Sequence, residues 1–178
     1  RKVVAAMDEL GYRPNAAARA LKRGTFRNIG VVMFDLTATG NTSTLAAVTE
    51  SANAEGYTVT LMTSPGRTSA SVSGAFSRLQ EMAVDGVILI LEAAPDDDAF
   101  VIPPTAHLVV ADSNQGDRYP VVDTDQAGGA HAAVEHLLSL GHTTVHHVTG
   151  PGRSYSARQR EATWREVLTV HGRSVPDP

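Results

Sequence analysis

Apolar residues recur along this chain in two alternating periods from Asn28 onward. Ile29-Gly30-Val31-Val32-Met33-Phe34 is unbroken, the mark of a strand covered on both faces of a parallel sheet. Ser43–Glu55 then reads as a helix, with Leu45, Val48 and Ala52 on one face and Gly56 as its stop. Tyr57–Thr63 is the second strand. A loop and a helix follow to about Met82, with Phe76, Leu79 and Met82 at core spacing. Gly86–Leu91 and His107–Ala111 are the third and fourth strands, separated by loops at Pro95–Asp98 and Pro103-Pro104. Asn114–Asp117 turns, and Tyr119–Val122 reads as a short extra strand. Gln126–Leu140 is a helix ended by Gly141, Val145–Thr149 a fifth parallel strand, and Ser154–His171 a last helix. Repeated βα units predict an α/β fold with a doubly wound parallel sheet, right-handed crossovers placing helices on both faces.

The first 27 residues follow another pattern. Val3, Val4, Met7 and Leu10 predict a helix over about Arg1–Leu10, ended by Gly11. It is too short for a domain and reads as the last helix of a small unit that begins upstream. Pro14 and Asn15 then start a second short helix, Ala16–Arg23, which Gly24 stops. Two turns fall below the roughly 12–15 residues that an isolated helix needs in water, so this helix is conditional on something packing against it. Its Ala residues permit close approach, Leu21 is its one large apolar side chain, and Arg19, Lys22 and Arg23 surround Leu21 with positive charge. That combination suits the DNA minor groove, where apolar wedges part base steps. A linker helix packed on the next domain fits the same residues.

Charge sharpens the contrast. Residues 1–27 hold seven basic and two acidic residues (+5), and the remainder eight basic and seventeen acidic (−9). A basic head on an acidic body directs the head alone towards a polyanion. With 42% hydrophobic and 19% charged residues, the 178-residue chain has an ordinary globular composition, and its aromatic content of 5% leaves the core to aliphatic side chains. The absence of an 18-residue apolar run or a signal peptide points away from membranes, and zero cysteines fit a cytoplasmic location while excluding disulfides and thiolate metal sites.

Ligands of open α/β sheets bind outside the carboxyl ends of the strands. In this chain those ends are Phe34–Asn41, Ser64–Thr68, Glu92, Asp112 and Gly150–Arg153, a polar set with one aromatic that suits a small hydroxylated ligand. Asp112 can accept two hydrogen bonds from vicinal hydroxyls or can cap a turn. Thr149-Gly150-Pro151-Gly152 hints at a phosphate cradle but lacks the Lys-Ser/Thr of a P-loop and the third glycine of a dinucleotide site, so no cofactor is expected. Strand alternation sends His146 and His147 to opposite faces, and Asp96-Asp97-Asp98 reads as a solvated loop, so no metal is expected. No nucleophile elbow or Cys nucleophile is present, and no catalytic residue or enzymatic role is assigned.

Pro14-Asn15 with Ala18-Arg19 and Leu21, followed by Ile29-Gly30-Val31, resembles the hinge helix and first strand of the lactose-repressor (galactose-repressor) family of bacterial transcription regulators. Val122–His142 is similar to that family's run before its next strand, and Gly150–Trp164 looks especially like the lactose repressor's own branch. The resemblance implies that residues 1–27 are the end of a helix-turn-helix headpiece plus a hinge helix. It implies that residues 28–178 are the N-terminal lobe of a periplasmic-binding-protein-like sensor, without the second lobe. It places Asn15, Ala18, Arg19, Leu21 and Lys22 on operator DNA, with Leu21 in the minor groove. It places Asp112 and Arg160 on a sugar effector, with Phe34 and Tyr155 as further effector residues, and implies a homodimer. Thr39–Thr42 where many relatives have Asn-Pro-Phe, and Thr163 where Gly is usual, are departures. The competing reading is a sugar-binding or signalling domain of a transport system with no DNA role; the basic head stands against it.

Overall fold

The structure, a computed structural model, describes residues 2–12, 20, 22–64, 66–93, 107–112 and 118–178. Among them the elements run α1 (Lys2–Glu9), β1 (Asn28–Met33), α2 (Thr39–Ala54), β2 (Thr58–Thr63), α3 (Ser69–Glu81), β3 (Gly86–Ile90), β4 (Leu108–Ala111), β5 (Val121–Val122), α4 (Gln126–Ser139) and α5 (Tyr155–Val170). Asn15, Ala18, Arg19 and Leu21 of the expected hinge helix lie outside the described residues, as do the loops expected at Pro95–Asp98, with the Asp96–Asp98 run, at Pro103-Pro104 and at Asn114–Asp117. Lys22 is described, helical and exposed. Gly24, at φ 74°, donates its amide to the Ala20 carbonyl at 2.8 Å, as a helix stop should.

All described strands join one parallel sheet in the order β2-β1-β3-β4-β5. β1 is an interior strand, with β2 on one side and β3 on the other, so the chain goes outward from β1 to β2 and then crosses back over β1 to β3. Strand alternation then divides the core in two. Val32, Val87, Leu89, Leu91 and Val110 meet Val72, Ala75, Phe76 and Leu79 of α3. Val31, Met33 and Ile90 face the other way, with Leu45 and Val48 of α2 packed on them. Continuous apolar strands follow directly from this, because neither face meets water. At Gly30 a Cβ would stand 2.8 Å from a Leu79 methyl, so the missing side chain sets how closely α3 approaches β1.

Three expectations are corrected. Met82, expected in the core with Phe76 and Leu79, is exposed, because it sits at the C-cap where α3 has ended. α2 begins at Thr39, four residues before the expected Ser43; its N-cap Ala38 makes no side-chain hydrogen bond, so the usual polar start signal is missing. Val145–Thr149 is not a strand of this sheet; the fifth parallel strand is Val121–Val122. Residues 145–149 run outside the sheet because their packing belongs to the two last helices. The Trp164 indole donates to the Val145 carbonyl at 2.8 Å, and the His147 ring stacks on Trp164 at 5.3 Å. Val134, Trp164, Val167 and Leu168 form a buried cluster of their own, backed by Leu138 and Val145, between α4 and α5. His146 is exposed while His147 is half-buried, the opposite-face arrangement expected of neighbours in an extended chain.

Candidate functional site

The carboxyl ends of β1 and β3 open onto a polar cavity of about 200 Å3, lined by Asp35, Arg67, Glu92, Ala93, Pro151, Arg153 and Ser154. Three local devices shape it. The Asp35 carboxylate accepts the Thr37 amide at 2.7 Å and its hydroxyl at 2.6 Å, and the hydroxyl bond holds its pKa below the ordinary value, with the amide bond adding to it. Asn41, buried in the first turn of α2, donates its amide nitrogen to the Asp35 carbonyl at 3.0 Å and to Glu92 Oε2 at 3.2 Å, tying the end of β1 to the end of β3. Ser154 caps α5 by accepting the Ala157 amide at 3.2 Å. Its backbone forms an antiparallel bridge with Ala93, and the Tyr155 amide donates to the Glu92 carbonyl at 3.1 Å. The start of α5 is thus stitched to the end of β3 and closes one side of the cavity. The Arg67 Nε is buried without a hydrogen-bond partner among the described residues.

Asp112 stands beside this cavity, one residue past β4. Its φ of 58° is unusual for a residue with a Cβ, and its amide is held by the Val122 carbonyl at 3.2 Å. Burial raises the pKa of its carboxyl, reinforced by a hydrogen bond and like charge from Asp123 and by the charge of Glu92; the positive charge of Arg160 opposes these. The Arg160 guanidinium donates through Nη1 to the Gln126 Oε1, which fixes its head between α5 and the start of α4. A Cβ at Gly150 would lie 2.9 Å from the Ala157 Cβ, so glycine there lets residues 149–153 fold down onto α5 next to Arg160. Acceptors and bidentate donors facing a common space can hold vicinal hydroxyls.

Of the expected effector residues, Asp112 and Arg160 come together and share an electrostatic field with Glu92. Phe34 is half-buried and packs against the α3-side core. Tyr155 is half-buried, its hydroxyl accepting from Gln159 Nε2 at 2.7 Å. None of these four side chains lines the cavity itself; Asp112 and Arg160 reach it only through the charge of Glu92. Sequence reasoning named the strand ends that supply Asp35, Asn41, Arg67, Glu92 and Arg153 but not their pairing, and it passed over Asp123 and Gln126, which hold Asp112 and Arg160. Their signal was present in the Asp-x-Asp that precedes α4. A second cavity, about 540 Å3, lies between α2 and the sheet at Ile29 and Ile88; its lining is mainly apolar, with Glu55 its one charged group. No three metal-ligating side chains cluster among the described residues, and no helix among them is long and apolar enough to cross a membrane.

No family model matches the chain. Similarity to individual proteins nevertheless runs almost end to end. The ribose operon repressor of Escherichia coli strain K12 is 29% identical over 180 residues, covering 99% of this chain and 54% of that protein. The maltose regulon regulatory protein MalI of the same strain is 30% identical over 174 residues, covering 96% and 51%. A crystal structure of the lac repressor dimer bound to operator and the anti-inducer ONPF superposes with a TM-score of 0.82 at 28% identity, covering 97% of this chain and 53% of that one. The chain spans about half the length of the relatives it matches. From the parallel lobe, the cleft at its carboxyl edge and this unbroken likeness to operon repressors, the chain belongs to the lactose-repressor (galactose-repressor) family.

Proposed function

We propose that this chain is the DNA-proximal part of a transcriptional repressor controlled by a small effector, most simply a sugar. Residues 1–27 close the DNA-binding headpiece and form the hinge, with Asn15, Ala18, Arg19, Leu21 and Lys22 against operator DNA. Residues 28–178 belong to the sensor. Within it, the separate cluster around Trp164 supports a finer division, in which the sheet lobe ends at Val122 and α4 and α5 begin a second lobe. The observation that carries the reading is the polar cavity built jointly by the strand ends and the capped start of α5. Two bodies meeting over a ligand can change their relative placement when it binds, which biases the hinge if the two placements differ in effector affinity. In this reading the protein works as a homodimer in the cytoplasm, and its role is binding rather than catalysis. Names of the relatives favour it over a transport domain, since they include an operon repressor and a regulon regulatory protein.

A thermal-shift panel of pentoses, hexoses and disaccharides on the full-length protein tests it, with ribose and maltose first because the matched regulators are named for them. At least one sugar raises the melting temperature, and Arg160→Ala removes that rise. In parallel, binding to duplex DNA weakens steeply with salt and is lost in Leu21→Ala. A protein that binds sugar but shows no salt-dependent grip on DNA would falsify the repressor reading and favour the transport one.

A further inference from the structure

At the amino edge of the sheet, away from the cleft, the end of the basic segment sits in a socket built round one carboxylate. Asp85, the residue before β3, accepts the Phe26 amide at 2.8 Å on one oxygen and the Arg27 amide at 2.6 Å on the other, with the Asn28 amide at 3.3 Å. The Asp85 amide returns a bond to the Asn28 carbonyl at 2.8 Å. The Arg27 carbonyl accepts the Thr58 amide at 2.9 Å and its hydroxyl at 3.2 Å. The Asn28 side chain donates to the Met82 carbonyl at 3.4 Å and accepts from the hydroxyls of Thr58 at 3.3 Å and Thr60 at 3.0 Å. Residues 26–28 are therefore tied to β2, β3 and the end of α3 at once.

Arg27 has φ 53°, a left-handed conformation that a residue with a Cβ keeps only where its surroundings over-determine it. That conformation turns successive amides towards a single anion, the geometry of a backbone nest. Bonds from amides to a carboxylate are roughly twice as strong as neutral ones. Glycine at position 56 leaves room for the Arg27 guanidinium, which a Cβ there would meet at 2.8 Å, and that guanidinium lies over the Tyr57 ring at 5.9 Å. Only Gly24 and Thr25 separate helical Arg23 from the socket.

We propose that Asp85 is a positioning residue: it fixes the direction in which the basic segment leaves the sensor lobe, so that a displacement of the lobe reaches the DNA-contacting end without slack. The inference rests on the DNA-binding reading above. β1 links the two ends, because Asn28 lies in the socket while the chain just beyond Met33 supplies Asp35 to the cleft. Six strand residues at about 3.3 Å each make a stiff rod of about 20 Å between them.

These 178 residues contain no cysteine, so once any cysteine elsewhere in the full-length protein is replaced by Ser, spin labels can be placed at Arg23→Cys and Gln80→Cys, with Ser51→Cys and Gln80→Cys as a control pair inside the lobe. The first pair gives a narrow distance distribution in the parent and a broad one in Asp85→Asn and Asp85→Ala, while the control pair stays narrow in all three. In unlabelled protein, affinity for a duplex selected from a random pool by the wild type falls about fivefold or more in both variants, a size typical of coupling between sites. A tether distribution that stays narrow in the variants, or is already broad in the parent, overturns the socket. Unchanged affinity beside a broadened tether overturns the claim that the socket serves DNA binding. Failure of the wild type to select any duplex overturns the DNA reading itself, while the labels still report on Asp85.

Discussion

The two edges of this sheet are built for opposite purposes, although the same strand runs between them. At the amino edge, backbone amides converge on the Asp85 carboxylate and side-chain hydroxyls of Thr58 and Thr60 meet Asn28, so donors and acceptors satisfy one another. At the carboxyl edge, Asp112 shares a hydrogen bond with Asp123 and feels the like charge of Glu92, its pKa raised, and the Arg67 Nε is buried without a partner among the described residues. A closed hydrogen-bond set gives rigidity, whereas buried polar groups left wanting are ready for a ligand. The lesson is that polarity alone does not mark a binding edge; what distinguishes it is unmet bonding capacity.

The comparison breaks most completely if the rod between the edges is damaged. Leu79, fully buried, lies over Gly30 and joins α3 to the middle of β1. Leu79→Ala should cost about 2–5 kcal/mol, a large share of the roughly 5–15 kcal/mol expected for a domain. Urea unfolding would show it as a lower midpoint. Hydrogen exchange should accelerate together at the Arg27 and Tyr155 amides, one at each edge. If only one edge loosens, the two are not mechanically joined through β1.

A milder change separates them. Ser154→Ala removes the cap of α5 and should cost about 1 kcal/mol. Exchange at the Tyr155 amide should rise, because its bond to the Glu92 carbonyl depends on where α5 starts. The Arg27 amide should keep its protection. Loss of protection at Arg27 would mean that the socket relies on closure of the far edge.

Much of this architecture could be read from residue order. Runs such as Ile29–Met33 and the Phe76/Leu79 spacing state their own burial, because a residue's local pattern is set by the face it covers. Asp112 and Arg160 could be placed by strand end and motif. What escaped reading depends on distant partners. Asp85 meets residues 57–59 positions away, and nothing near it signals that its carboxylate will be used by the backbone of another segment. Asn41 falls before the helix that the sequence predicts, because α2 starts without a capping side chain to signal it, yet it bridges Asp35 and Glu92 from inside the helix. Val145–Thr149 carries a strand-like pattern, but pattern cannot say which sheet, if any, will take it.

The smallest effect isolates the carboxyl edge alone. Because burial and the neighbouring Asp123 and Glu92 raise the Asp112 pKa, the folded state holds a proton there to higher pH than the unfolded chain does. Across the window between the ordinary carboxylate value and the raised one, the folded state binds more protons, so stability falls as pH rises, and above it the full penalty applies. Asp35 runs the other way: its lowered pKa favours folding above the ordinary value, and that contribution is lost as pH falls through the folded one. Asp112→Asn keeps the shape, removes the charge and leaves Asp35 untouched. It should therefore melt slightly higher than the parent at neutral pH, with the gap closing as pH is lowered into the carboxylate range. The same variant should lose the sugar-induced rise in melting temperature, since an amide replaces one of the two acceptors offered to vicinal hydroxyls. Greater stability with weaker ligand response is the behaviour of a site held ready at a cost to folding. A variant that melts lower than the parent at neutral pH would show instead that the Asp112 charge is already compensated, with Arg160 rather than a ligand as its partner.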